Sequence, residues 1–290
     1  MVKVQWYPGH MEKARRQMTE RLKAVDLVIE LRDARIPEAS TNPLLNALAG
    51  NKPRLIVLAK SDMADPVQNE KWVRSMKKDN VSCMTADLLN DPHCGRKIIR
   101  EALRLMKPMR EKQAARGIRP RAVRAMACGI PNVGKSTMIN RIAGKNTVKA
   151  ADKPGVTRSL TWIHADDQLE LLDTPGVLWP KFEDEKTGSL LAAYGSINDD
   201  ILNRKMIAMD AIHEIQDLYP GLLEKMFDAE GCNPNGMLKA IAEKRNLRKE
   251  DNLPDTARAA EMFLNDLRKG KLGRLTLEHC DETPDTEMSE

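Results

Sequence analysis

The eight residues Gly129-Ile-Pro-Asn-Val-Gly134-Lys135-Ser136 satisfy the spacing GxxxxGK[ST]. An apolar stretch, Val123 to Cys128, precedes them, and a helical one, Met138 to Ala143, follows. A glycine-rich loop between a strand and a helix is a phosphate cradle. Backbone N–H groups and the helix N-terminus face the phosphate oxygens. In such a loop Lys135 pairs with the β- and γ-phosphates and Ser136 ligates Mg2+. Asn132, Val133, Gly134 and Thr137 complete the expected contacts. Downstream, Asp173-Thr-Pro-Gly176 ends a second apolar stretch, Leu169 to Leu172. An acid there suits a water-mediated Mg2+ contact, and Gly176 can bring its N–H close to a γ-phosphate. Between the two lies Lys153-Pro-Gly-Val-Thr157, where Thr157 is the expected sensor of the γ-phosphate through Mg2+.

A second set of residues reads a base. Leu55 to Leu58 runs into Lys60-Ser61-Asp62, and Val81 to Met84 runs into Thr85-Ala86. In a KxD motif the lysine stem lies on the base and the aspartate accepts from two N–H groups of guanine. Adenine lacks that pair, and an unpaired buried acid discriminates strongly. The Thr85-Ala86 backbone suits guanine O6. The motif order is then KxD, [ST]A, P-loop, threonine, DTPG, a rotation of the usual order. A chain tolerates such rotation where its ends lie close together at the surface. One consequence is mechanical: the segment after DTPG leads straight into whatever follows the nucleotide domain.

The elements needed to hold these residues are legible. Short apolar runs at Val25–Leu31, Leu55–Leu58, Val81–Met84, Val123–Cys128, Thr161–His164 and Leu169–Leu172 predict strands. Helical spacing covers Met11–Lys23 and 96–106, and Lys107–Pro120, with a proline at each end, reads as a connector. The expected fold class is α/β, a P-loop sheet with rotated motif order, plus a small all-α C-terminal domain. The expected domains are 1–182 for nucleotide, 185–275 helical, and 276–290 as a disordered acidic tail. In the helical part, Pro220-Gly221 breaks the chain after Ile215, helices follow near Gly236–Arg245 and Asp255–Lys269, and Gly270 is a stop.

Composition narrows the partners. No apolar run approaches the ~20 residues needed to span a bilayer, and the N-terminus has no signal-peptide core, so a cytoplasmic monomer without membrane contact is expected. Five cysteines, an odd number without a CxxC, argue against a disulfide framework or zinc site. Residues 96–125 hold eleven Lys/Arg against Glu101 and Glu111, whereas the last fifteen residues hold six acids and no Lys or Arg. With a net charge of +5 overall, the rest of the chain stands at +11. A basic body suits a polyanion. Three readings remain open on the residues: a GTP-hydrolysing factor, an ATP-using P-loop enzyme such as a kinase, and an RNA-binding module with a vestigial nucleotide site.

The motifs in this order resemble the circularly permuted GTPases of the ribosome-assembly type, the ribosome biogenesis GTPase A family. Trp6-Tyr-Pro-Gly-His10-Met11 and Asp33-Ala-Arg-Ile-Pro37 match family elements, and the likeness covers nearly the whole chain. The resemblance implies GTP as substrate, Mg2+ as cofactor, and GTP-dependent association with the large ribosomal subunit or its precursor, through ribosomal RNA. It implies that the helical domain contacts that RNA. It also implies a hydrophobic residue, here Val177, where Ras-like proteins carry a catalytic glutamine. His10 then positions the attacking water, and Asn132 helps hold K+ beside the phosphates. The family's NKxD is broken here by Ala59. One lost hydrogen bond costs ~0.5–1.5 kcal/mol, so guanine preference with weakened binding is expected.

Overall fold

The computed structural model describes residues 19–43, 49–119, 121–144, 161–174, 184–197 and 203–281. Six strands form one sheet: β1 Leu27–Asp33, β2 Arg54–Ala59, β3 Val81–Ala86, β4 Val123–Gly129, β5 Thr161–Asp166 and β6 Leu169–Asp173. Their spatial order is β3-β2-β1-β4-β6-β5. Only β5 runs antiparallel to its neighbour, at the sheet edge. β1 lies between β2 and β4, and all seven of its residues are buried. A strand covered on both faces reads as an apolar run rather than an alternation. Leu27, Ile29 and Leu31 each contribute ~1.5–3 kcal/mol by leaving water. Glu30, buried on the same strand, is neutralised by Arg32 at 3.0 Å and by Arg54 of β2 at 3.3 Å.

The path of the chain places the site. It runs outward from β1 to β2 to β3, then returns to the other side of β1 as β4. The direction reverses between β1 and β4. In an open parallel sheet the crevice beyond the C-terminal strand ends at that reversal is where ligands bind.

Among the helices, α1 is Pro66–Ser75, α2 is Cys94–Ala115 and α3 is Lys135–Ala143. The sequence reading does not place α1, which Asp65 caps by accepting from the Val67 and Gln68 N–H groups. The expected connector from Lys107 is wrong over most of its length. α2 runs for 22 residues straight through Pro108. Proline removes one hydrogen bond and crowds the preceding turn. Here it is exposed, and the strong helix formers Met109 to Ala115 carry the helix past it.

The described residues from 184 to 279 form a separate compact unit, while 280–281 belong with the sheet. The helical unit comprises α4 Glu185–Ala193, α5 Arg204–Leu218, α6 Leu222–Phe227, α7 Pro234–Lys244 and α8 Thr256–Arg268. Asp184, Asn203, Asn233 and Asp255 cap four of these helices by accepting first-turn N–H groups. Leu191, Ile212, Ile215, Leu238, Ile241 and Phe263 are buried among them. Residues 276–281, assigned above to the tail, are not loose. Thr276 and Leu277 are buried, and the Thr276 N–H donates to the Tyr219 hydroxyl at 2.9 Å. The acid-rich composition of the last fifteen residues hides this short apolar anchor. Residues 282–290 lie outside the described residues.

Candidate nucleotide site

Four parallel strands deliver their C-terminal ends to one edge of the sheet. Asp33 ends β1, Ala59 ends β2 and leads into Lys60, Thr85 and Ala86 end β3, and Gly129 ends β4 at the phosphate loop. Asp33 is in register with Ala59, and Ala59 with Ala86. Thr85 and Ala86 are therefore strand residues rather than the loop after it. The Ser61 N–H donates to the Ala86 carbonyl at 3.4 Å, so the KxD and Thr85-Ala86 segments are joined directly.

Lys60 ties the two halves of the site together. Its φ of 59° is left-handed, as is that of Asn132 in the phosphate loop. Non-glycine residues held there cluster at functional sites. The Lys60 ammonium donates to the Asn132 carbonyl at 3.0 Å and to Asp33 Oδ2 at 2.9 Å. Beside Ala59, where the family's NKxD carries an asparagine, the link to the phosphate loop is made by the next residue. Lys60 supplies the brace, and Ala59 is fully buried, with its carbonyl accepting from the Ala34 N–H. Asp62 is half-buried, and its carboxylate takes no partner among the described residues.

Asp33 and Arg35 are the site residues that motif reading missed. Arg35 is among the largest fully buried side chains, and its guanidinium grips Asp33 with two bonds of 2.8 Å. Burial alone would raise the Asp33 pKa, but the cations of Arg35 and Lys60 outweigh it and hold the carboxyl well below the usual range. Asp33 is therefore a fixed anion that aims Lys60. The only signal for it in the sequence was the DARIP element, which carried no role.

On the phosphate side, Gly134 precedes α3 with φ 104°, a backbone that disfavours any residue with a Cβ. It offers no side chain to cap the helix, so the first-turn N–H groups remain available to an anion. Val133 is buried beneath the loop, while Ser136 and Thr137 are half-buried in the first turn of α3. Lys135 and Asp173 are both buried and form an ion pair. Asp173 lies opposite Ala127 of β4, and the Thr174 hydroxyl donates to the Ala127 carbonyl at 2.7 Å. The Ser136 hydroxyl and Asp173 carboxylate are hard oxygen donors, a set that fits Mg2+ rather than a thiophilic metal. Arg141 of α3 donates to the Leu88 carbonyl at 2.8 Å and to Leu89 at 2.5 Å, tethering the phosphate helix to the loop after Thr85-Ala86. Nothing in the sequence marked it. His10, Thr157, Gly176 and Val177 lie outside the described residues.

The fold and the site define a P-loop GTPase in which the guanine-reading strands come first in the chain. A family model described as a 50S ribosome-binding GTPase matches residues 124–229, beginning in β4 and leaving out β1 to β3. Ribosome biogenesis GTPase A of Bacillus cereus is 43% identical over 282 residues, covering 96% of this chain and 95% of its own. That of Bacillus pumilus is 40% identical over 95% of this chain and 98% of its own. A GDP-bound YlqF structure superposes with a TM-score of 0.68 at 26% identity, covering 92% of this chain and 100% of that one. A GNP-bound YlqF from T. maritima gives 0.66 over 92% and 98%. The chain belongs to the ribosome biogenesis GTPase A family, and it is a GTPase.

Proposed function

We propose that the chain is a cytoplasmic, monomeric assembly factor. In its GTP state it docks on the large ribosomal subunit or its precursor through ribosomal RNA, and hydrolysis releases it. The observation that carries the nucleotide part is the Lys60–Asn132 bond. It joins a guanine-reading motif to a phosphate loop 72 residues away in the chain. The ribosomal part draws on relatives named for ribosome biogenesis. The test is co-sedimentation with large subunits in the presence of a GTP analogue, GDP or neither. Association is expected only with the analogue, and Lys135→Ala abolishes it. Equal association under all three conditions, or in the variant, would make the nucleotide site vestigial.

Lys60 and Asp62 read guanine, with the backbone of Ser61, Thr85 and Ala86 closing on the base. The loop from Asn132 to Thr137 and the α3 N-terminus hold the phosphates. Lys135, freed from Asp173, pairs with the β- and γ-oxygens. Ser136, Thr157 and Asp173 would hold Mg2+, which when bound neutralises charge on those oxygens. Gly176 and Thr157 register the γ-phosphate. Val177 cannot hydrogen-bond a water, so His10 positions it, and Asn132 helps retain K+. Positioned acid–base groups contribute ~10²–10⁴-fold. His10→Ala is therefore expected to slow subunit-stimulated single-turnover hydrolysis by that order while leaving GTP affinity nearly unchanged. Equal rates would remove His10 from the chemistry. In the same assay, exchanging K+ for Na+ slows wild type, and an unchanged rate would dismiss the ion.

A further inference from the structure

The positive charge of this protein is concentrated on one helix. α2 holds seven Lys/Arg against Glu101 and Glu111, and Arg116 and Arg119 follow at once. Residues 180–279, by contrast, hold 15 Lys/Arg and 18 Asp/Glu, so the helical unit is slightly acidic. The basic residues of α2 are also arranged. At 3.6 residues per turn, Arg96, Arg100 and Lys107 fall within about 40° of one another, opposite Ile98 and Ala102, with Met106 on the flank. Those three apolar residues are fully buried, while the three cations are exposed. After Met106 no residue of the helix is buried, and Arg110, within about 40° of Arg96, extends the same side.

Some of this charge is already committed. Lys97 pairs with Asp91 at 2.7 Å, Arg104 with Glu101 at 2.7 Å, and Lys107 lies 3.7 Å from Glu111. Arg96, Arg100 and Arg110, which share one side of the helix with Lys107, take no carboxylate among the described residues. They span about 20 Å at 1.5 Å per residue. The surface lacks what single-stranded RNA needs. α2 contains no aromatic residue on which bases could stack. The one exposed large aromatic among the described residues, Trp162, has its ring face covered by Arg124 at 5.4 Å. Cations without stacking platforms suit the phosphates of a duplex, which is recognised by shape and backbone.

We propose that the solvent face of α2 docks duplex ribosomal RNA through its phosphate backbone. The proposal rests on reading the partner as ribosomal RNA. It places the docking surface on the nucleotide unit, where α2 begins against the end of α3. A Cβ on Gly95 would collide with the Arg141 carbonyl oxygen, so RNA held on α2 is one backbone contact from the phosphate helix.

The test is fluorescence anisotropy of a labelled 16-base-pair RNA duplex over a range of KCl concentrations. Each lost phosphate contact removes about one unit from the log–log salt slope. The variant R96Q/R100Q/K107Q/R110Q is expected to bind at least about tenfold more weakly, with a slope about 3–4 shallower. Its GTP affinity is expected to match wild type. Arg96→Lys, Arg100→Lys and Arg110→Lys together keep the wild-type slope, because the charge that meets the phosphates is retained. An unchanged slope and affinity in the glutamine variant would overturn the proposal. Sedimentation with large subunits separates it from the reading it rests on. If wild type fails to sediment while the duplex slope still falls in the variant, the ribosomal reading fails and the surface stands. If the variant loses sedimentation but keeps the duplex slope, a protein meets this face and the RNA assignment is wrong.

Discussion

Asp33 controls more of this site than its lack of direct chemistry suggests. It holds a buried arginine and aims Lys60, which bonds the Asn132 carbonyl of the glycine-rich loop. Asp33→Asn removes the anion and leaves Arg35 charged and buried. Breaking a buried pair on one side costs ~3–5 kcal/mol, and urea unfolding is expected to show a loss of that order. The pH dependence follows from the lowered carboxyl. Its contribution is complete above the unfolded value of about 4 and is lost as pH falls below it towards the folded value. Between pH 5 and pH 3 the wild-type urea midpoint is therefore expected to fall more steeply than that of Asp33→Asn. Parallel curves would mean that Asp33 is not the coupled group. Burial raises Cys83 to about 12 and Cys128 as well, so both thiols stay protonated and structural at physiological pH.

At the scale of elements, the contact between α2 and α3 decides how the two halves of the chain share a site. α2 leaves the guanine-reading strands and α3 begins at the phosphate loop, and they meet at Gly95 and Arg141. The obstruction to any larger residue at Gly95 is backbone rather than a flexible side chain. Gly95→Ala must push the helices apart, and overpacking of this kind costs ~1–3 kcal/mol. Because Arg141 also tethers α3 to Leu88 and Leu89, the variant is expected to lose GTP affinity together with stability. A stable variant that binds GTP normally would show that the crossing is slack. α2 itself was half-legible. Its buried spacing to Met106 is plain in the sequence, but Pro108 concealed the remaining turns, because local propensity cannot tell a proline that ends a helix from an exposed one that the helix passes.

For the whole molecule, rotated motif order and intact spatial order coexist. The guanine strands β2 and β3 lie on one side of β1 and the phosphate strands β4 and β6 on the other, wherever the chain happens to start. The KxD, Thr85-Ala86 and glycine-loop segments therefore meet only in the assembled sheet. With Lys60 and Asp62 in place, unlabelled GTP is expected to displace a labelled GTP analogue at least about a hundredfold better than ATP, since an unmatched polar base edge discriminates by orders of magnitude. Equal displacement would return the chain to the ATP-using class. Placing the segment after Asp173 directly before the helical unit keeps the γ-phosphate region covalently continuous with it.

What the sequence determined by itself was the class of fold and the GTPase family. GxxxxGK[ST], DTPG and KxD are local patterns whose residue types state their task, and buried parallel strands announce themselves as apolar runs. What only the tertiary structure decided were the partners of those residues. Lys60 meets Asp33 and Asn132, Lys135 meets Asp173, and Arg141 meets Leu88, across separations of 27 to 72 residues. A pattern in sequence carries periodicity and residue type over a few turns. A hydrogen bond between strand ends depends on the order of the strands, which the chain acquires only when the sheet assembles. The phosphate loop could therefore be read from its own eight residues, whereas the buried Asp33–Arg35 pair became a functional element only once β1 lay between the two halves of the site.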